Sequence, residues 1–261
     1  MNMIHDDIFT AVRSPNPLEE TMERIAGVIK ARLLNPGDRL PPERELAARL
    51  GVSRSTLRVA LQSLVDAGWL EVRRGRHGGS FVARWPDLPS PRRVPEILTR
   101  HSSHLPAMLD YRRAIESAAA GFAAERALPT EIMELEALAK ATEGTETDHE
   151  KYRAADTRFH IGVARAAHSP LLMHALMQIF EALNEVIDSI VYHSADVLRN
   201  ATEYHQRILE AIRNHDAEAA RRLMLEHVMA TENVIYSMIP ESARCNDPRW
   251  AQRSCGPSMM N

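Results

Sequence analysis

The sequence predicts a mainly α protein in two parts, a front part of three helices with a small β-hairpin and a rear all-α helical bundle. Three observations lead there. Apolar residues recur at the 3.6-residue helical period along most of the 261 residues. That period gives way to short strand-like runs only between Trp69 and Ala83. Four prolines between Trp85 and Pro95 then break the chain before a long stretch that is rich in alanine and leucine and poor in glycine.

Bulk composition narrows the class. Apolar residues at 44% and charged residues at 26% are globular values, which excludes a collagen-like or disordered chain. No apolar run approaches the roughly 18 residues of a spanning helix. The N-terminal stretch, with His5, Asp6 and Asp7, lacks the basic start and apolar middle of a signal peptide. A cytoplasmic protein with no membrane partner is therefore expected. The two cysteines, Cys245 and Cys255, sit in a Pro- and Ser-containing tail, so neither a disulfide framework nor a Cys-based zinc site is expected to hold the fold.

In the front part, Met22, Ile25, Ala26, Ile29 and Leu33 mark an amphipathic helix over 19–34, stopped by Asn35-Pro36-Gly37-Asp38. A short helix starts at Pro42, where a missing N–H costs nothing, and runs to Gly51. After Gly51-Val52-Ser53 a third helix, 54–67, carries Leu57, Ala60, Leu61, Leu64 and Val65 on one face. Residues 69–73 and 80–83 read as strands around the glycine-rich reversal 74–79. Residues 85–95 read as a linker. From 96 the spacing predicts helices near 106–127, 130–142, 149–167, 170–192, 196–213 and 216–238, and a flexible tail over 239–261. The domain reading is thus 1–84, with a core of 19–84, and 96–238.

Helix, helix, short turn, helix and glycine-tipped hairpin is the order of a winged helix-turn-helix. Charge agrees with a nucleic-acid partner for this part alone: residues 1–93 carry net +4 and the remainder net −7. Between 43 and 84 there are eight arginines against four acids. Any single arginine is best read as surface solvation, but these fall on three elements that the topology turns to one side. Arg54, Ser55 and Arg58 cluster at the N-terminal end of the third helix, where a recognition helix enters the major groove. Arg44 can reach the backbone, and Arg74, Arg76 and His77 on the hairpin can follow the sugar-phosphate wall or the minor groove. Double-stranded DNA is the expected partner.

Three stretches, Leu40-Pro41-Pro42-Glu43-Arg44-Glu45-Leu46-Ala47, Gly51-Val52-Ser53-Arg54-Ser55-Thr56-Leu57-Arg58 and Leu64-Val65-Asp66-Ala67-Gly68-Trp69-Leu70, closely resemble the DNA-binding domain of GntR-type transcription regulators. The resemblance covers 19–84. It implies that Arg44, Arg54 and Arg58 read or clamp DNA, that Ser53, Ser55 and Thr56 add hydroxyl contacts, and that Gly75 approaches the minor groove.

In the rear part the informative residues are polar ones lying in apolar stripes. Asp156 and His160 share the stripe of Tyr152, Ala155, Phe159 and Val163, and four residues on a helix turn through only about 40°. His205 lies among Leu198, Ala201, Ile208 and Ile212, and His227 among Ala220, Leu223, Met224 and Val234. The last two helices are joined by a short turn, which sets His205 and His227 about 14 Å and 18 Å from it at 1.5 Å per residue. For one such histidine a hydrogen-bonded core role is the default. An Asp and three imidazoles on three helices point instead to a divalent-metal site, because isolated buried charges are costly. Arg112 and Glu116 fall among Leu109, Ala119 and Ala123; they form an internal ion pair, or Arg112 presents its fork to a ligand carboxylate, and the two roles can coexist.

This half resembles the all-helical FCD effector domain of the FadR branch of GntR regulators. The carrying residues are Arg112-Arg113-Ala114-Ile115-Glu116, Asp156-Thr157-Arg158-Phe159-His160, Glu203-Tyr204-His205-Gln206-Arg207-Ile208 and His227. The resemblance implies a divalent ion, Zn2+ or else Ni2+ or Mn2+, held by Asp156, His160, His205 and His227. It also implies a small organic acid effector near Arg112, and a homodimer on a pseudo-palindromic operator. The expected function is a ligand-responsive transcription regulator, most simply a repressor. A regulator that senses the metal directly and a metal-dependent enzyme fused to a DNA reader are the alternatives.

Overall fold

The computed structural model describes residues 16–190 and 194–240. Beyond Ile239 and Pro240, the tail expected to be flexible lies outside the described residues, with Cys245 and Cys255; so do residues 1–15 and 191–193. The described chain forms two compact units. One comprises residues up to Ile29 together with Leu34–Trp85, and the other Lys30–Leu33 together with the chain from Pro86 onward.

The first unit is built from α1 (Pro17–Lys30), α2 (Glu43–Leu50), α3 (Arg54–Asp66), β1 (Leu70–Arg73) and β2 (Gly79–Val82). Ile25 and Ile29 of α1, Ala47 of α2, and Leu57, Leu61 and Leu64 of α3 close one core with Leu70 and Val82 of the hairpin. The turn between α2 and α3 needs Gly51, whose φ of 67° is left-handed. Ser53 then caps α3, its hydroxyl accepting from the Thr56 N–H at 3.0 Å. The strands are antiparallel, pairing Leu70 with Val82 and Arg73 with Gly79. A third, very short partner not evident from the sequence completes the sheet: Arg39 bridges Phe81, and the Leu40 N–H donates to the Ser80 carbonyl at 2.9 Å.

The second unit contains α4 (Val94–His101), α5 (Leu105–Arg126), α6 (Pro129–Lys140), α7 (His149–Ala166), α8 (Pro170–Ile190), α9 (Ala195–Arg213) and α10 (Ala217–Met238). The long α5 packs against α7, α8, α9 and α10. Two apolar clusters flank it, one centred on Leu109, Phe180 and Ile235, the other on Phe159, Ile208 and Met224. Gly162 lets α7 lie close to α6: a Cβ there would stand 2.7 Å from Leu138 and 2.9 Å from Leu135. Asp148 and Asp216 cap α7 and α10.

The segment read as a linker is partly helical. Pro91–Arg93 forms a 3₁₀ turn, and α4 follows at once, with Val94, Ile97 and Leu98 buried against α8. The prolines do not block it because Pro91 and Pro95 occupy first-turn positions, where the absent N–H would have no intrahelical partner. The sequence spacing had placed the first helix of this unit at 106.

Candidate metal centre and nucleic-acid interface

In the first unit the arginines and hydroxyls named from the sequence are mostly at the surface. Arg44 and Arg54 are exposed near the starts of α2 and α3, and Arg74, Gly75, Arg76 and His77 are exposed at the hairpin tip. The tip reverses through Gly75, at φ 105°, and the Gly78 N–H donates to the Gly75 carbonyl. Ser53, Ser55 and Thr56 are drawn together: the Ser53 hydroxyl is 2.8 Å from those of both Ser55 and Thr56. Arg58 is exposed but not independent, since its Nε donates to Glu43 Oε2 at 2.8 Å. The sequence motif holds both residues, but only the packing of α2 on α3 turns them toward each other.

In the second unit the four polar stripe residues converge. Asp156 and His160 come from α7, His205 from α9 and His227 from α10, and one donor atom from each lies within 4.8 Å of all the others. His227 Nε2 is 3.1 Å from His160 Nε2. Asp156 Oδ1 is 3.6 Å from His205 Nε2 and 3.9 Å from His160 Nε2. The three histidines are buried and the carboxylate is partly accessible. Phe159 stacks on the His205 ring at 4.3 Å.

Electrostatics keep the donors ready for a cation. Burial pushes His205 down to about 3, outweighing the opposing pull of Asp156, and His227 is also pushed well below the usual imidazole range by burial. Both rings are therefore neutral near pH 7, as metal ligation requires. Both nitrogens of His205 and Nδ1 of His227 are buried without a hydrogen-bond partner. Such orphaned groups cost about 1–3 kcal/mol each.

Behind the ligands stands a carboxylate that the sequence reading assigned only to an ion pair. Glu116 Oε1 accepts from Arg112 Nε at 2.5 Å, and Glu116 Oε2 is hydrogen-bonded to His160 Nδ1. Burial raises the Glu116 carboxyl, but His160 and Arg112 beside it prevail and hold it at about 2. A second polar group was missed altogether. Arg153, on α7 and 1% exposed, donates through Nε to Asp188 Oδ1 at 2.7 Å and through Nη2 to Asn184 Oδ1 at 3.0 Å. Its position three residues before Asp156 put it on the same helix face, and Asn184 and Asp188 are themselves spaced i,i+4. A cavity of about 630 Å³, open mouth included, abuts the cluster and is lined by Arg112, Arg153, Asp156 and His227 with apolar Ile187 and Leu198.

A basic three-helix unit with a hairpin, in one chain with a helical unit that holds a buried polar centre, is the build of a DNA-binding transcription regulator. Residues 17–82 match the gntR family of bacterial regulatory proteins, and residues 107–230 match the FCD domain. The chain belongs to the GntR family and carries an FCD domain. It is 33% identical over 237 residues to the putative L-lactate dehydrogenase operon regulatory protein of Escherichia coli K12, covering 87% of this chain and 89% of that one. It is 27% identical over 200 residues to the galactonate operon transcriptional repressor of the same organism, covering 75% and 86%. Among solved structures, E. coli McbR/YncC aligns with a TM-score of 0.52 at 19% identity, over 85% of this chain and 98% of that one, a likeness of fold. The relatives are transcription regulators, not enzymes, so the enzyme alternative falls away.

Proposed function

We propose that this regulator binds operator DNA as a homodimer and represses transcription, and that a divalent cation with a small carboxylic acid in the helical unit controls that binding. The observation that carries the reading is the cluster of Asp156, His160, His205 and His227 beside a cavity that also presents Arg112. The donor set suits a borderline cation such as Zn2+, and Ni2+ or Mn2+ are the other candidates. The orphaned nitrogens of His205 and His227 fit the same reading, since a bound cation would satisfy a buried lone pair that has no donor.

Bound there, the cation supplies a Lewis-acidic centre for the oxygens of a carboxylate. This chain's own residues do the rest. Glu116 orients His160 through Nδ1, as the partners of metal-bound histidines generally do. Arg112 keeps Nη1 buried and without a partner, a donor available to a ligand carboxylate. Two relatives are named for an L-lactate dehydrogenase operon and a galactonate operon, which agrees with an acid effector. On DNA, Arg54 and Arg58 at the start of α3 read base edges, Arg44 clamps the backbone with Ser53, Ser55 and Thr56 beside it, and Arg74, Gly75, Arg76 and His77 follow the flanking groove. A two-fold dimer matches a pseudo-palindromic operator in the cytoplasm.

The test is a thermal-shift screen of small organic acids against Zn2+-loaded protein, paired with gel shifts on an operator obtained by in vitro selection. An acid should raise the melting temperature of the loaded protein, leave chelated protein unchanged and weaken operator binding. Operator release that tracks metal alone would replace the acid with the ion as signal, and an effect undiminished in Asp156→Ala would remove the centre from the account.

A further inference from the structure

Arg153 is unused by the reading above. It forms part of the wall of the same cavity as Arg112, is 1% exposed, and has Nη1 buried without a hydrogen-bond partner although Nε and Nη2 are both engaged. Arg112 repeats that pattern: Nε is held by Glu116 while Nη1 has no partner. One cavity thus has two buried guanidinium groups in its wall, each fixed by a carboxylate behind it and each with its Nη1 left without a partner. A buried donor left unmade costs about 1–3 kcal/mol, more on a charged group, so a pair of them in one cavity is the mark of an absent acceptor.

The balance of charge says what kind of acceptor. Glu116 answers Arg112, and Asp188 answers Arg153 while also facing the charge of buried Arg32. Asp156 is the remaining carboxylate at the cavity. Two guanidinium groups at the wall stand against Glu116 and Asp188 behind them and Asp156 beside them, and a divalent cation on the ligand cluster turns that balance positive. Excess positive charge and two buried guanidinium nitrogens without acceptors both call for anionic groups, one for each arginine.

We propose that Arg153 is a second anchor of the effector pocket and that the effector carries two anionic groups, one toward Arg112 and the ligand cluster and the other on Arg153 Nη1. Ile187, Leu198 and Val234, which share the wall with polar Asn200 and Thr231, suit a short hydrocarbon spacer between them. Arg153 is then a specificity-determining residue: it separates acids with two anionic ends from simple monocarboxylates. The inference rests on the metal and acid reading above but makes a narrower claim.

The test is calorimetric titration of full-length, Zn2+-loaded protein with malonate, succinate and glutarate, with phosphonoacetate as the phosphoryl arm, and with butyrate and L-lactate as monoanions. At least one dianion should bind ten-fold or more tightly than either monoanion. Arg153→Lys, which keeps a positive charge for Asp188, should cut that affinity at least ten-fold, move monoanion affinity less than three-fold and leave zinc content unchanged. If the single variant does not fold, Arg153→Gln with Asp188→Asn removes the charge pair together and should show the same loss. Monoanions binding as tightly as dianions, with binding lost in Arg112→Ala, would overturn the second anchor and leave the acid reading standing. If no acid of either kind binds, both fall.

Discussion

Glu116 and His160 meet across α5 and α7, the carboxylate oxygen on the imidazole Nδ1, in a buried contact that fixes which face of the ring looks at the other ligands. Because the carboxyl is held near 2, it is ionised and can only accept, so Nδ1 donates and Nε2 is the nitrogen directed at His227 and Asp156. Glu116→Gln removes the charge and leaves one acceptor oxygen where two served Arg112 and His160. Metal affinity is expected to fall about 10- to 100-fold, the usual effect of losing such a partner, read by competition with a chromogenic chelator.

Removing the ion tests the ligand set itself. A ligand at 1,000 times its Kd stabilises the native state by about 4 kcal/mol, so chelation should lower the melting temperature by several degrees. In His205→Ala and Asp156→Ala the melting temperature should no longer respond to Zn2+.

Without metal, the buried histidines set a pH dependence. His205 titrates near 3 in the folded chain and near 6.5 when unfolded, so between those values the unfolded chain binds the extra proton. Stability must therefore fall as pH falls through that window, with His205 alone worth about 2 kcal/mol between pH 6.5 and 5. Glu116 acts in the same direction lower down, its contribution present above 4.5 and lost toward 2. Urea midpoints of chelated protein at pH 7.5 and 5 check the sign: a higher midpoint at pH 5 would contradict it.

Phe159 is fully buried and stacked on His205, so it supports both core and centre. Phe159→Ala is expected to cost about 3–5 kcal/mol in chemical denaturation and to weaken metal binding as well. Phe159→Leu should recover much of the stability and less of the metal affinity, because it restores bulk without the stacked ring.

On the DNA side, Arg54→Ala and Arg58→Ala should each cost about 1–3 kcal/mol in operator affinity at fixed salt. Neither should destabilise the fold appreciably, since Arg54 is exposed and the Arg58–Glu43 pair is an exposed one worth about 0–1 kcal/mol. Gel shifts and thermal melts on the same preparations separate the two effects.

The four candidate ligands were legible in the sequence because a helix stripe fixes which residues share a face, and a charged or imidazole side chain among leucines stands out. Their partners were not. That Glu116 serves His160 as well as Arg112 depends on how α5 crosses α7, and that Arg153 meets Asn184 and Asp188 depends on α7 against α8; neither is written in any one helix. Arg58 is a similar case, its engagement with Glu43 decided by the turn between α2 and α3. The missed α4 has another cause, prolines read as helix breakers where they serve as helix starters.

Residues 30–33 leave α1 only to be built into the helical unit before the chain returns at Leu34. Ala31 is packed there with Leu98 and Leu105, Arg32 is wholly buried and donates to the Pro86 carbonyl at 3.1 Å, and Arg158 holds the Arg32 backbone. The helical unit is consequently completed by a segment from the front of the sequence, far from Pro86 along the chain. A fragment starting at Pro86 would lack four residues of its own core, and the cavity left by Ala31 and Arg32 would weaken it.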